Sequence, residues 1–289
     1  MVATQIIIDW LYLLVLTAMT GILLHELGLI SLGHGGIVLI GAYALGFTLL
    51  TQLSLLTLVI AVIIIALIAL PVIRVRADIY AVVSLALAQV IQRIAIGAYD
   101  WTGGAMGMGP IPRPSWLSNN SGAIAIGGGF AISILIVYAM IVKSRVGIYL
   151  GGVRDNELSS RMNGVRTKLL MYITLLTSGI IVACMGLLQA TYYGLVSPRM
   201  GTLDVALQGL AGAMLAQPLW RQGKPLRVII GYIIASAILV SIPPMLRQMM
   251  PERVTLEVIR MAIFGLVLYI LVHPVIQRRI SCCHGISGM

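Results

Sequence analysis

The sequence predicts an all-α, polytopic membrane helix bundle of about 8–10 transmembrane helices with a broken or re-entrant segment. Three observations predict it. Of 289 residues, 60% are apolar and only 10% are charged, whereas a soluble domain is about a quarter charged. Mean hydropathy is +1.03. Apolar runs fill nearly the whole chain, and about 20 such residues cross ~30 Å of hydrocarbon. These features exclude a soluble enzyme, a disordered chain and a disulfide-stapled module. Residues 1–289 read as one transmembrane domain in a lipid bilayer. A net charge of +10 would point to nucleic acid in a soluble protein. On this background it marks basic cytoplasmic loops, and no nucleic-acid partner is expected.

The elements follow in order. The first span covers about Ile6 to Leu27; with no Lys or Arg before Arg74, it lacks the basic start of a cleaved leader. A Gly-rich break follows at Gly28–Gly36, then a second run, Ile37–Leu50. The third run, Leu53–Ile73, is the most uniformly aliphatic and is expected to face lipid; Arg74 and Arg76 end it. The fourth, Ile79–Gly97, contains Gln89, Gln92 and Arg93. A polar Gly/Pro-rich loop occupies Tyr99–Gly122, and a fifth run Ala123–Val142. Lys143–Lys168 is the longest hydrophilic stretch. Further runs cover Leu169–Val196, Thr202–Trp220, Leu226–Leu246 and Val254–Val272, before a short basic tail. Leu207–Ala213 is Gly-rich and is a second candidate for a broken helix.

Orientation follows from the basic residues. With Lys143–Lys168 cytoplasmic, alternation puts Arg74/Arg76, Arg221/Lys224/Arg227 and Arg278/Arg279 inside as well. Thirteen of nineteen basic residues then face inward. Arg113, Arg199, Arg247 and Arg253 fall outside, and Arg93 and Arg260 are close enough to outer ends to snorkel. The N-terminus is external.

Catalytic constellations fail on inspection. His25-Glu26 begins a zinc-protease helix motif, but Leu29 stands where the second His belongs. Gly103–Gly109 lacks the Gly-Lys-Ser/Thr ending of a phosphate loop. Cys282, Cys283 and His284 are poor metal ligands, because two adjacent thiols cannot easily both reach one tetrahedral ion; a reduced cytoplasmic tail is the plainer reading. Small-residue pairs such as Ala42/Gly46, Gly179/Ala183 and Gly209/Ala213 read as close helix packing, as does Gly127-Gly128-Gly129.

Polar groups inside spans carry more. Gln89, Gln92 and Arg93 share a helical face, as do Asp204 and Gln208. Such groups must point into the bundle or to water, either along a translocation path or in interhelical hydrogen bonds. Irregular Gly-rich backbone is equally costly against lipid. The expected path-lining residues are Ser31, His34, Tyr43 and Gln89. In the hydrophilic loop, Asp155 and Asn156 suit a helix N-cap. Leu158, Met162 and Val165 then form an apolar stripe, which fits a partner's groove or the lipid surface.

Three segments resemble the permease subunits of branched-chain amino-acid ABC importers. Gly28-Leu-Ile-Ser-Leu-Gly-His-Gly-Gly, followed by Gly41-Ala-Tyr43, is similar to that family's Leu-Ser-Leu-Gly-His…Gly-Ala-Tyr signature. Tyr80-Ala-Val-Val-Ser-Leu-Ala-Leu-Ala-Gln89 with Trp101-Thr-Gly-Gly-Ala-Met-Gly107 resembles its fourth span and Leu-Thr-Gly-Gly loop. Ser144-Arg-Val-Gly147, Val153-Arg-Asp-Asn-Glu157, Asn163-Gly164-Val165 and Lys168-Leu resemble its cytoplasmic loop. His25-Glu26 departs from the family's small or apolar residues there. Ile148 replaces the usual Arg, and Gln208-Gly-Leu-Ala-Gly212…Gln217-Pro218 replaces a Gly-Gly-Leu-Gly…Gly-Pro pattern.

The resemblance implies a bacterial or archaeal cytoplasmic-membrane permease that is not itself an enzyme. Its partners would be a second homologous permease, two cytoplasmic ATPase subunits and a periplasmic or extracellular substrate-binding protein. It would hold no cofactor, ATP being bound by the partner subunits. Asp155, Asn156, Glu157, Leu158 and Met162 would contact the ATPase within the coupling loop 143–168. Related permeases carry urea, short amides or other small amino acids. A secondary transporter or channel working alone is the other alternative.

Overall fold

The structure, a computed structural model, describes residues 2–51, 54–113, 120–220 and 224–249. Within them the regular structure is helical, with one isolated antiparallel bridge, Met108 to Val196. Helix α1 is Val2–Gly21, prolonged by a π-turn, Ile22–Glu26. Then come α2, His34–Thr51, α3, Ser54–Ala69, with a short turn at Pro71–Arg74, and α4, Ala77–Gly97. Helix α5 is Asn120–Lys143. The hydrophilic loop holds α6, Arg145–Asp155, and α7, Glu157–Met162. Helices α8, Thr167–Tyr193, α9, Leu203–Ala216, and α10, Pro225–Met249, follow. Among the described residues, five stretches are long and apolar enough to cross a membrane: Thr4–Glu26, Leu56–Arg74, Ile79–Gly97, Ser121–Lys143 and Thr167–Tyr193. The expected span Val254–Val272, the Cys282-Cys283-His284 tail, and Arg221, Arg253, Arg260, Arg278 and Arg279 lie outside the described residues.

Contacts between helix ends fix which corners share a face of the bundle. Lys168 Nζ donates to the Val75 carbonyl at 3.4 Å, Arg154 Nη1 to the His25 carbonyl at 2.8 Å, and the Arg154 guanidinium lies 4.4 Å from the Trp220 ring centre. The corners at Glu26, Arg74–Arg76, Lys143–Lys168 and Trp220 therefore lie at one end, as the alternation of basic loops expects. At the other end, Tyr193 donates to Asp9 at 2.5 Å, Arg113 to the Tyr193 carbonyl at 3.3 Å, and Met108 pairs with Val196.

Two helices begin inside the bundle. After Glu26 the chain leaves helical geometry until His34, with Gly28 at φ 70°, a conformation favouring glycine. Gly33 lies against Ser84, Gly36 against Ala88, and His34 against Ser178, so α2 begins partway through the bundle. Helix α9 has 14 residues, about 21 Å at ~1.5 Å each, short of a full crossing. Thr202–Trp220 is thus a short helix and one 3-10 turn, Gln217–Leu219, and not one continuous span.

In lipid, helices associate through close contact of small residues rather than through water exclusion. A Cβ on Gly41 would overlap the Ala183 carbonyl, and one on Gly186 the Val38 carbonyl, so α2 and α8 touch backbone to backbone. On α9, Gly209 and Gly212 instead make room for side chains of α1, those of Leu16, Thr17 and Thr20. Among the described residues the expected close packing at Gly127-Gly128-Gly129 is not found: none of them lies within 4 Å of a Cβ at Gly128 or Gly129, and at Gly127 only Leu11 does, at 3.5 Å. That stretch belongs to Ser121–Lys143, the least buried of the five long helices, and faces outward. The third run is also outward, with Leu56, Val59, Ile63 and Leu67 exposed.

These contacts predict a contrast. Gly186→Val is expected to lower stability by about 1–3 kcal/mol or more, because rigid backbone opposes the new side chain. Gly129→Ala is expected to be neutral or to stabilise by up to about 1 kcal/mol through helix propensity. Thermal unfolding in detergent checks both; equal melting of Gly186→Val and wild type would contradict the packing.

Candidate functional site

The two interruptions are copies of one motif. Gly28-Leu29-Ile30-Ser31 and, further on, Gly35 match Gly194-Leu195-Val196-Ser197 and Gly201 at the same spacing. Gly28 and Gly194 share φ values of 70° and 69°. Each motif follows a long helix, α1 or α8, and precedes a helix that begins inside the bundle, α2 or α9. Helices α1 and α8 run in opposite directions, since Asp9 near the start of one meets Tyr193 at the end of the other. This is an inverted repeat, the architecture in which transporters place irregular segments around a central site. The copies meet: a Cβ on Gly35 would lie 3.0 Å from the Thr202 carbonyl, and one on Gly201 3.0 Å from the Gly35 carbonyl.

Backbone polar groups that leave a helix need other partners. In the first break, Leu29 N–H donates to the Leu23 carbonyl at 2.8 Å and Leu32 N–H to Ser84 Oγ at 3.1 Å. In the second, Val196 exchanges hydrogen bonds with Met108 at 2.8 and 2.9 Å, and Ile111 N–H donates to the Gly194 carbonyl at 2.9 Å. The Gly-rich loop thus seals the second break. Gly107, at φ 80°, presses against the Val196 carbonyl, where no side chain fits.

Ser31 and His34 come together near the crossing. Ser31 is buried and hydrogen-bonded to Tyr80. His34 is buried between three helices, with Nδ1 3.4 Å from Thr20 Oγ1 and Nε2 3.3 Å from Ser178 Oγ. Both hydroxyls donate to carbonyls of their own helices, of Leu16 and Leu175, at 2.9 Å. The imidazole N–H therefore donates to one hydroxyl or the other. Tyr43 is buried toward the opposite end, in a cluster with Ala95, Met108 and Val196, its hydroxyl without a hydrogen-bond partner among the described residues. Gln89 adjoins Ala88, which packs on Gly36, and its Nε2 is likewise buried without a partner among the described residues. Gln92 donates to the Pro198 carbonyl at 3.4 Å and Gln208 to Asp204 at 3.0 Å, so both face protein.

The hydrophilic loop is more helical than its glycines indicate. Ser144 caps α6, accepting from Val146 N–H at 3.2 Å. Asn156 caps α7, accepting from Ser159 N–H at 3.0 Å. Asp155 closes α6 and pairs with Arg154 at 2.7 Å. Leu158 and Met162 are 67% and 84% exposed, while Val165 turns back to pack on the bundle. Glu157 is held at the base of α8 by Lys168 at 3.5 Å and Thr167 at 3.4 Å.

Sequence reasoning left His25-Glu26 without a role. Both residues are 4% exposed. Glu26 Oε1 accepts from Tyr138 at 3.0 Å and from Trp220 Nε1 at 3.2 Å. His25 Nδ1 lies 3.0 Å from the Tyr232 hydroxyl, and its ring stacks on Tyr232 and Trp220. A Glu within an otherwise apolar stretch was the available signal; its partners, far along the chain, carried none.

The chain matches the family described as branched-chain amino acid transport system / permease component over residues 4–272. It is 25% identical over 211 residues to the high-affinity branched-chain amino acid transport system permease protein LivM of Escherichia coli (strain K12), covering 61% of this chain and 49% of that protein. The chain thus aligns with about half the length of this curated relative. No solved structure matches. With nearly its whole length covered, and an inverted pair of broken helices at its centre, the chain belongs to the branched-chain amino acid transport system permease family.

Proposed function

We propose that this multi-pass membrane protein is the path-forming permease subunit of an ABC importer for branched-chain or related small amino acids. In this reading, residues 1–289 form a single permease domain with a coupling loop at 143–168. The chain works with a second homologous permease, two cytoplasmic ATPase subunits and an external substrate-binding protein. ATP is bound by the ATPases, and this chain supplies the path and the coupling contact in a bacterial or archaeal cytoplasmic membrane.

The observation that carries the reading is the capped helix α7, which holds Leu158 and Met162 out in water. Two large apolar side chains side by side on a short exposed helix match a partner's groove. Burying each would contribute about 1.5–3 kcal/mol, about ten- to a hundredfold in affinity at about 1.4 kcal/mol per decade. Asp155 and Asn156 flank them, and Glu157 anchors the helix to α8. The path would run along the crossing of the breaks, beside Ser31 and His34, with Gln89 and Tyr43 further along it. Helices α2 and α9 begin there, and their positive dipole ends favour a substrate carboxylate.

Three outcomes are expected. A Leu158→Asp/Met162→Asp double variant should lose the ATPase on co-purification while the membrane bundle still folds; wild-type ATPase yield with full ATP-driven uptake would refute the docking role. A cysteine at Ser159, in a chain lacking its native cysteines, should react with an impermeant thiol reagent from the cytoplasmic side, and labelling only from outside would reverse the orientation. Alanine at Ser31, His34, Tyr43 or Gln89 should reduce leucine, isoleucine or valine uptake by the assembled importer. Unchanged uptake in all four would remove them from the path, and uptake of urea or acetamide in place of amino acids would redirect the substrate class.

A further inference from the structure

One side chain joins the hydrophilic loop to the first break. Arg154, in the last turn of α6, directs its guanidinium back into the bundle. Nη1 donates to the His25 carbonyl at 2.8 Å, at the end of the first membrane helix. The guanidinium plane lies over Trp220, 4.4 Å from the ring centre. Nε and Nη2 donate to Asp155 at 2.9 and 2.7 Å, beside the cap of α7. Its Cγ packs on Gly28, 2.8 Å from where a Cβ would stand. Arg154 therefore touches the docking helix's flank, the end of α1 and the first glycine of the break together.

Its seat is fixed from behind. Glu26 holds Trp220 through Nε1 and holds Tyr138 through its hydroxyl. His25 is bound and stacked by Tyr232, which in turn meets Tyr138 edge to face at 5.8 Å. Helices α1, α5 and α10 and the segment after α9 converge on two adjacent residues. A buried carboxylate is costly without strong partners, and packing alone would be served as well by apolar side chains. The seat gives Arg154 a planar aromatic face and a carbonyl at the negative end of a helix, both of which a guanidinium fits better than an ammonium.

The second break has a matching clasp at the opposite end of the bundle. Arg113, from the Gly-rich loop, donates through Nη2 to the Tyr193 carbonyl at 3.3 Å and lies 5.8 Å from the Tyr192 ring centre. Its Nε is 3.4 Å from where a Cβ on Gly194 would stand. Each repeat thus ends its long helix under an arginine supplied by a separate loop.

We infer that Arg154 is a positioning residue that carries movement of the docking helix to the Gly28–Gly33 break, with His25-Glu26 and Trp220 as its seat. The inference rests on the reading of α7 as the ATPase contact. A load on α7 reaches Arg154 through the Asp155 pair and passes to the His25 carbonyl and Gly28, where the chain is no longer helical and bends most easily. Arg154→Lys keeps the charge and loses the planar fork. Glu26→Gln keeps an oxygen acceptor for Tyr138 and Trp220, whereas Glu26→Leu does not.

The test uses the complete importer in proteoliposomes, with leucine uptake and ATP hydrolysis measured together. In the same preparations, nitroxides at Ser159 and Ile30, in a chain with Cys184, Cys282 and Cys283 replaced by serine, report the loop-to-break distance by pulsed EPR. Wild type is expected to show one narrow distance distribution. Arg154→Ala, Arg154→Lys and Trp220→Phe should broaden it and lower leucine carried per ATP, by about tenfold for Arg154→Ala, the effect of about 1.4 kcal/mol of lost coupling. Glu26→Gln should retain the wild-type ratio and distance, and Glu26→Leu should lose both. A narrow wild-type distance in Arg154→Ala and Trp220→Phe would overturn the clasp, whatever the substrate, as would uptake and hydrolysis falling in equal proportion. Failure of the docking reading shows separately, as ATPase retained at full yield by the Leu158→Asp/Met162→Asp variant.

Discussion

Backbone that leaves a helix within a membrane has no water to bond to, so protein must cover it. The architecture follows from meeting that requirement twice. Each break is closed by hydrogen bonds from a different source: Ser84 and the π-turn at the first, the Met108–Ile111 strand-like segment at the second. Each is then buried by helices that approach to backbone contact. Glycine at positions 41 and 186 permits that approach, and Gly209 and Gly212 let side chains of α1 pack directly on the backbone of α9. Without those contacts the breaks would face lipid, and without the breaks there would be no irregular backbone at the centre for a polar solute to meet.

The inverted repeat gives the arrangement two ends. Helices α1 and α8 run in opposite directions, and their breaks meet at Gly35 and Gly201. An arginine from a separate loop holds the carbonyl end of each long helix. One of those loops carries the exposed α7, and the other seals the second break. A displacement at either face therefore has a short covalent and hydrogen-bonded route to the crossing.

Much of this was legible in the sequence, for physical reasons. Gly28–Gly36 interrupts an apolar run with residues that end helices, and the break is there. Asn156 announces a cap, and α7 begins after it. The grouping of the described basic corners at one end follows from alternation and charge. Other features were hidden. Gly147, Gly151 and Gly152 read as loop, yet Gly147 lets α6 turn tightly against the Val142 carbonyl. Gly127-Gly128-Gly129 reads as a packing surface and faces outward. The second break was expected at Leu207–Ala213, where the chain is continuously helical within α9; its place at Gly194–Gly201 showed only as a Gly-Leu-Val-Ser echo of Gly-Leu-Ile-Ser, found by comparing the chain with itself. The seat around Glu26 left no local trace, because Tyr138, Trp220 and Tyr232 are brought to it by tertiary packing alone.

On the proposed function, alternating access opens the two breaks to opposite faces in turn as the ATPases cycle. The most direct measurement is thiol reactivity at the breaks themselves: single cysteines at Ser31 and at Ser197, in the assembled importer without native cysteines, exposed to an impermeant reagent with and without ATP. The account predicts that ATP changes the two reactivities in opposite directions, Ser31 from the cytoplasmic face and Ser197 from the outer face. Reactivities that ATP leaves unchanged, or that rise and fall together, would contradict it.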